Sequence, residues 1–173
     1  MNSQALSTGE ATHGLPDAEA TASLGAGLAA TRPDRAVVHL HGDLGAGKST
    51  LARALLRALG VVGTIRSPTY TLIERYALDG GEVAHLDLYR LGDASELDFL
   101  GLDELQDAAA LWLVEWPERG GASLPAPDLV IRLGFEGAGR RAVLEARTAT
   151  GRAWCDRLGA VFPPAPRPAK GAT

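Results

Sequence analysis

A chain of 173 residues, 46% hydrophobic and carrying both charge signs, suits one packed domain that buries about 70% of the surface its unfolded form exposes. The net charge of −4 argues against a broad nucleic-acid-binding face and against DNA as a partner, and no apolar run approaches the ~20 residues of a membrane span. Cys155 stands alone and excludes an internal disulfide, which fits a cytoplasmic protein; the first basic residue is Arg32, so a signal-peptide n-region is not expected.

Residues 1–14 are small and polar without periodicity and are predicted to be a flexible N-terminus. Asp17 is placed to cap a helix running to about residue 30, with Leu24 and Leu28 on one face. Arg32-Pro33-Asp34 breaks it, and the β-branched run 36–41 reads as a strand. Then comes Gly42-Asp43-Leu44-Gly45-Ala46-Gly47-Lys48-Ser49, which fits G-x-x-x-x-G-K-[ST]. Leu51, Leu55 and Leu59 recur at helical spacing behind it, and Gly60 is placed as the stop.

Strand, glycine loop and helix start together aim backbone N–H groups and a positive helix end at a polyphosphate. Glycine allows φ values and close approaches that a Cβ forbids. Lys48 would reach the β- and γ-phosphates, and the Ser49 hydroxyl would bind Mg²⁺. Of 15 Arg and two Lys, one Lys falls at this position, where a compact ammonium and a planar guanidinium are not interchangeable.

Beyond the loop helix, Ser67-Pro68-Thr69 is either a proline turn or a switch-like loop that meets the γ-phosphate or Mg²⁺. Two strand-like runs flank Asp79-Gly80-Gly81, predicting a β-hairpin whose second arm ends at Asp87. Short helices are expected over 93–105. The apolar run 111–114 reads as a buried strand ending at Glu115, with Pro117 able to open a helical turn. Two further strands, 128–135 and 141–148, precede a short helix near 152–158, and 161–173 is a Pro/Ala-rich tail predicted to be disordered. The predicted fold is α/β: a P-loop NTPase-like three-layer sandwich over 15–160, with a largely parallel central sheet and an added antiparallel hairpin.

Ligands of open α/β sheets sit beyond the carboxyl ends of the strands. Asp87 and Glu115 both occupy such ends, so Asp87 is the candidate Mg²⁺ ligand, directly or through water. Glu115 is a candidate to bind the metal or to polarise a water. His85 interrupts the apolar run before Asp87 and weakens that strand as a metal-binding one. His39 and His41 share a strand face, where packing accounts for them better than zinc does.

Four motifs come in order: Asp43-Leu44-Gly45-Ala46-Gly47-Lys48, Ser67-Pro68-Thr69-Tyr70-Thr71-Leu72, His85-Leu86-Asp87-Leu88-Tyr89-Arg90 and Glu115-Trp116-Pro117-Glu118. With them the chain resembles, over about 15–158, the TsaE (YjeE) family, small bacterial ATPases of tRNA threonylcarbamoyladenosine biosynthesis. Ser49 stands where many members carry Thr, and both present a hydroxyl. The resemblance implies an ATPase that uses ATP and Mg²⁺ and works with TsaB and TsaD on adenosine 37 of tRNAs reading codons that begin with A. It implies phosphate contacts from Asp43, Leu44, Gly45, Ala46, Gly47, Lys48, Ser49 and Thr50, with Thr69 in the switch-like loop. Ser49, Asp87 and Glu115 would serve the metal, Lys48, Asp87 and Glu115 the chemistry, and the segment near Asp17–Thr21 would lie by the base. The tRNA would be reached through the partner complex.

A GTPase reading fails because a guanine-reading Asn-Lys-x-Asp segment is impossible with Asn2 as the only Asn. A small-molecule kinase remains the alternative, with Arg140-Arg141 as its one candidate lid pair.

Overall fold

The computed structural model describes residues 9–165, and its elements follow the hydrophobic pattern closely. In chain order they are β1 (Glu10–Leu15), α1 (Ala18–Thr31), β2 (Ala36–His41), α2 (Lys48–Ala58), β3 (Ile73–Leu78), β4 (Gly81–Asp87), α3 (Leu102–Ala108), β5 (Ala109–Glu115), β6 (Leu129–Glu136), β7 (Gly139–Ala146) and α4 (Ala149–Val161). Short 3₁₀ turns at Ala94–Phe99, Pro117–Arg119 and Gly121–Ser123 bridge the longer connections. Local chemistry accounts for the boundaries. The Asp17 carboxylate accepts from the Ala20 amide at 2.8 Å and starts α1. Asp93 and Glu96 form a capping box at the 3₁₀ turn over Ala94–Phe99. Gly60, at φ 93°, takes the left-handed turn just beyond α2.

One seven-stranded sheet runs β1-β7-β6-β2-β5-β4-β3. Its four central strands, β6, β2, β5 and β4, are mutually parallel, whereas β1–β7, β7–β6 and β3–β4 pair antiparallel. The sheet is therefore mixed, not largely parallel. A two-residue connection, Gly137-Ala138, forces β6 and β7 into a second hairpin, because parallel neighbours need a long crossover.

The expected flexible N-terminus is also corrected. Residues 10–15 form β1 along β7, with His13 and Leu15 as the buried side chains. A histidine in place of an aliphatic residue hides the alternation that would mark this strand. At the other end, Val161 closes α4, Phe162 packs on the core, and the Ala165 amide donates to the Thr12 carbonyl at 2.7 Å. The first part of the expected disordered tail is thus packed; 1–8 and 166–173 lie outside the described residues.

Helices cover both faces of the sheet. On one, α1, α2 and α4 bring Leu24, Leu28, Leu51, Leu55, Trp154 and Leu158 against Val38, Leu40, Leu111, Leu113 and Ile131. On the other, Leu97, Leu102 and Leu105 meet Leu86, Trp112 and Val114. Each leucine buried this way contributes about 2 kcal/mol. The face under α1 and α2 carries the site, because Val83, His85 and Asp87 of β4 alternate onto it, as do Leu111, Leu113 and Glu115 of β5.

Candidate functional site

The parallel central strands end together at one edge of the sheet, and β2 there enters the glycine loop. Gly42, at φ 147°, lies so close to the Leu133 carbonyl that a Cβ would collide with it. Gly45 and Gly47 also take positive φ, and the Ala46 amide closes the turn on the Asp43 carbonyl at 3.0 Å. Gly47 brings no side chain to cap α2, so the first-turn amides of that helix meet no capping group. Arg140, from the start of β7, donates to the Gly45 carbonyl through Nη2 at 3.1 Å and holds the loop from outside.

Lys48 folds back along the loop. Its Nζ donates to the Gly42 and Asp43 carbonyls at 2.6 and 2.9 Å and lies 4.2 Å from the centre of the Trp116 ring. Burial pushes the ammonium pKa down from the ordinary lysine value, against the upward pull of Glu115 and Asp87. Trp116 reaches this place because its backbone is left-handed, at φ 56°.

Asp87 and Glu115 are opposite one another in the β4–β5 ladder, and both are buried. Ser49 Oγ donates to Glu115 Oε2 at 2.8 Å, and His85 Nε2 lies 2.8 Å from Glu115 Oε1. Asp87 is held differently: Thr69 Oγ1 donates to Oδ2 at 3.0 Å and the Tyr89 amide to Oδ1 at 3.0 Å. Ser67 Oγ extends that chain to Thr69 at 2.7 Å.

A cleft of about 410 Å³ is lined by Leu44, Lys48, Ser49, Thr69, Asp87, Glu115 and Trp116, among others. A second hollow of about 240 Å³ across the loop is walled by Asp17, Thr21, Thr50 and Arg140. Two buried carboxylates facing one ammonium leave room for a further cation. Among the described residues no three His, Cys, Asp or Glu side chains form a metal centre by themselves. Two carboxylates and a hydroxyl are hard oxygen donors, and they fit Mg²⁺, which takes few protein ligands and completes its shell with water and phosphate.

All of the residues expected from sequence stand around this loop. Asp43 supplies a carbonyl to Lys48, Leu44 is exposed at the cleft mouth, Ala46 is buried in the turn, and Gly45, Gly47 and Thr50 border both hollows. Three participants were not expected at this site. Trp116 and Arg140 contact the loop across folded distance, which spacing does not reveal. His85 read as an interruption; its signal was the two-residue step to Asp87, which puts both on one strand face. Arg140, weighed as part of a kinase lid, is bonded to Gly45, and Arg141 lies 3.9 Å from Glu136 at the hairpin end.

A family model described as "Threonylcarbamoyl adenosine biosynthesis protein TsaE" matches residues 15–143, a span that takes in the glycine loop, Asp87 and Glu115. The chain is similar to the tRNA threonylcarbamoyladenosine biosynthesis protein TsaE of Haemophilus influenzae, 41% identical over 116 residues covering 67% of this chain and 73% of that one. The protein of the same name from Mycobacterium bovis is 40% identical over 136 residues, 73% of this chain and 80% of the other. Among solved structures, the Bacillus subtilis YdiB crystal structure matches with a TM-score of 0.73 at 27% identity, covering 87% of this chain and 95% of that one.

Proposed function

The chain belongs to the TsaE family, and on that premise we propose that it is a P-loop NTPase-like, Mg²⁺-dependent ATPase serving threonylcarbamoylation of adenosine 37 in tRNA together with TsaB and TsaD. The observation that carries this reading is the convergence of Lys48, Ser49, Thr69, Asp87 and Glu115 on one cleft beside the uncapped start of α2. Phosphate binding exploits such a helix start, where unsatisfied amides and the helix dipole favour negative charge.

Lys48 would exchange the Gly42 and Asp43 carbonyls for phosphate oxygens. Ser49, Asp87 and Glu115 would hold Mg²⁺, whose chemistry there is to neutralise charge on the phosphates. Glu115, buried and aimed at Ser49, also suits the task of orienting an attacking water. Thr69 links the 67–69 loop to Asp87 and gives that loop a way to sense what the carboxylate binds. Asp17 and Thr21 of the second hollow would border the nucleoside.

With a net charge of −4 the chain would reach tRNA through its partners, which would supply the electropositive surface. Among the described residues no helix is long and apolar enough to cross a membrane, and a tRNA-modifying role sets the work in the cytoplasm.

The test is ATP turnover by the purified chain with and without the TsaB–TsaD pair, with Lys48→Ala as the blank. Weak turnover that rises several-fold with the pair, together with ATP-dependent tRNA modification, is the expected result. Turnover indifferent to the pair would remove the pathway assignment and leave an ATPase.

A further inference from the structure

The structure assigns His85 a part in this site that neither the motifs nor the comparisons give it. We propose that it is the positioning residue for Glu115, an imidazole whose Nε2–H ties down Oε1 so that Oε2 alone faces Ser49 and the cleft. The proposal rests on the reading of the cleft as an Mg²⁺·ATP site.

His85 is 1% exposed, and its same-face neighbours, Val83, Leu111 and Leu113, are aliphatic. A polar ring in such a place is costly unless it is bonded. Its one bond among the described residues is to Glu115, also 1% exposed, at 2.8 Å from Nε2 to Oε1. Nε2 faces a carboxylate oxygen at hydrogen-bond distance, so the ring N–H that makes this bond is the one on Nε2. Among the described residues Nδ1 is buried without a partner. A bare lone pair is tolerable there, whereas an N–H would be an orphaned donor. The geometry therefore selects one tautomer, the donor to Glu115.

His85 does not line the cleft, so it acts through the carboxylate. Glu115 has two partners of opposite character. Its Oε1 bond lies wholly inside the protein, while its Oε2 bond is to Ser49, a hydroxyl on the cleft wall that is free to rotate. When Ser49 turns toward a cation, Oε2 is released and Oε1 stays fixed, which leaves Glu115 in one rotamer with one oxygen available. Buried partners of this kind orient ligating groups and strengthen their binding.

The test uses the full chain in two variants. His85→Leu keeps bulk and removes the donor; His85→Gln puts an amide N–H close to the position of Nε2–H. Calorimetry of ATP binding with and without Mg²⁺ should show His85→Leu losing about 10-fold in the Mg²⁺-dependent part of the affinity, with Mg²⁺-free binding within about 2-fold of wild type. His85→Gln should recover most of the loss, and His85→Leu should add nothing in a Glu115→Gln background. Equal loss in both His85 variants, no loss in either, or additivity with Glu115→Gln would overturn the proposal. Nitrogen-15 NMR of the wild-type histidines gives a second readout that needs neither nucleotide nor variant. A proton on Nε2 supports the assignment, and a ring with Nε2 unprotonated overturns it. A wild-type chain whose ATP binding ignores Mg²⁺ would instead overturn the ATPase reading, and the tautomer would then decide on His85 by itself.

Discussion

Buried or half-buried carboxylates sit at both ends of the parallel strands, and the two ends use them differently. At the entry end Asp128 joins β2, β6 and α4. Its side chain accepts from the Val37 amide at 2.9 Å and from Thr148 Oγ1 at 2.6 Å. Its backbone is bonded both ways, to the Val37 carbonyl and from the Arg147 amide, each at 2.8 Å. Thr148 in turn caps α4 through the Gly151 amide. These donors are main-chain groups or a capping hydroxyl, and none can leave without taking an element apart. At the exit end Glu115 and Asp87 are held in part by the hydroxyls of Ser49 and Thr69, which rotate without breaking a ladder. Acid residues serve stability where backbone supplies the donors, and remain open to a ligand where hydroxyls on loops supply them.

Mutations at the two ends should therefore separate binding from folding. Lys48→Ala is expected to lower partner-stimulated ATP turnover by about 100- to 1000-fold, the scale for losing a group aimed at developing charge. Its unfolding transition should stay cooperative, and turnover assays beside circular-dichroism melts check both halves. Gly151→Ala acts at the entry end. A Cβ there would collide with the Asp128 carbonyl, so α4 must shift, at about 3 kcal/mol. Chemical denaturation should register that loss, while ATP affinity measured well below the melting temperature stays at the wild-type value. If Gly151→Ala weakened ATP binding as strongly as it weakened the fold, the two ends would be coupled and the contrast would fail.

Thr69→Val sharpens the comparison within the exit end. It removes one hydroxyl bond to Asp87, a contact of about 1 kcal/mol, so turnover should fall about 5-fold and the unfolding free energy by no more than about 1 kcal/mol. A loss as large as that of Lys48→Ala would make the 67–69 loop part of the chemistry, beyond holding Asp87 in place.

How much of this was legible in the sequence follows from what kind of signal each part leaves. The glycine loop was legible because its conformation demands particular residues at fixed offsets. Asp87 and Glu115 were legible because each ends an apolar run, and parallel pairing then sets them side by side. β1 was not, since pairing with β7 is a tertiary event and its inward positions are His13 and Leu15. The balance of parallel and antiparallel strands was not legible for a related reason: the length of the connection at 137–138, which sets β7 antiparallel to β6, is fixed only by where the folded strands end. His85 was misjudged because a polar residue within an apolar run looks like a defect until its buried partner is known.

The last effect concerns pH, and it belongs to the scaffold. His39 lies on the opposite face of β2 from the cleft, with Nε2 3.2 Å from the Pro125 carbonyl. Burial lowers its pKa from 6.5 to about 4, with a smaller push from His41, against the carbonyl bond and Glu118. The unfolded chain titrates this histidine near 6.5, so between 6.5 and about 4 it binds a proton that the folded state refuses. The contribution of His39 to stability is complete above that window and is lost as pH falls through it. His13 and His41, also lowered by burial, act in the same direction. His39→Gln keeps a donor for Pro125 and removes the titration. Its melting temperature should match wild type above the window and fall less steeply within it, while ATP turnover at neutral pH is unchanged. A melting profile that still followed wild type down to about pH 4 would shift the acid sensitivity from His39 to His13 and His41.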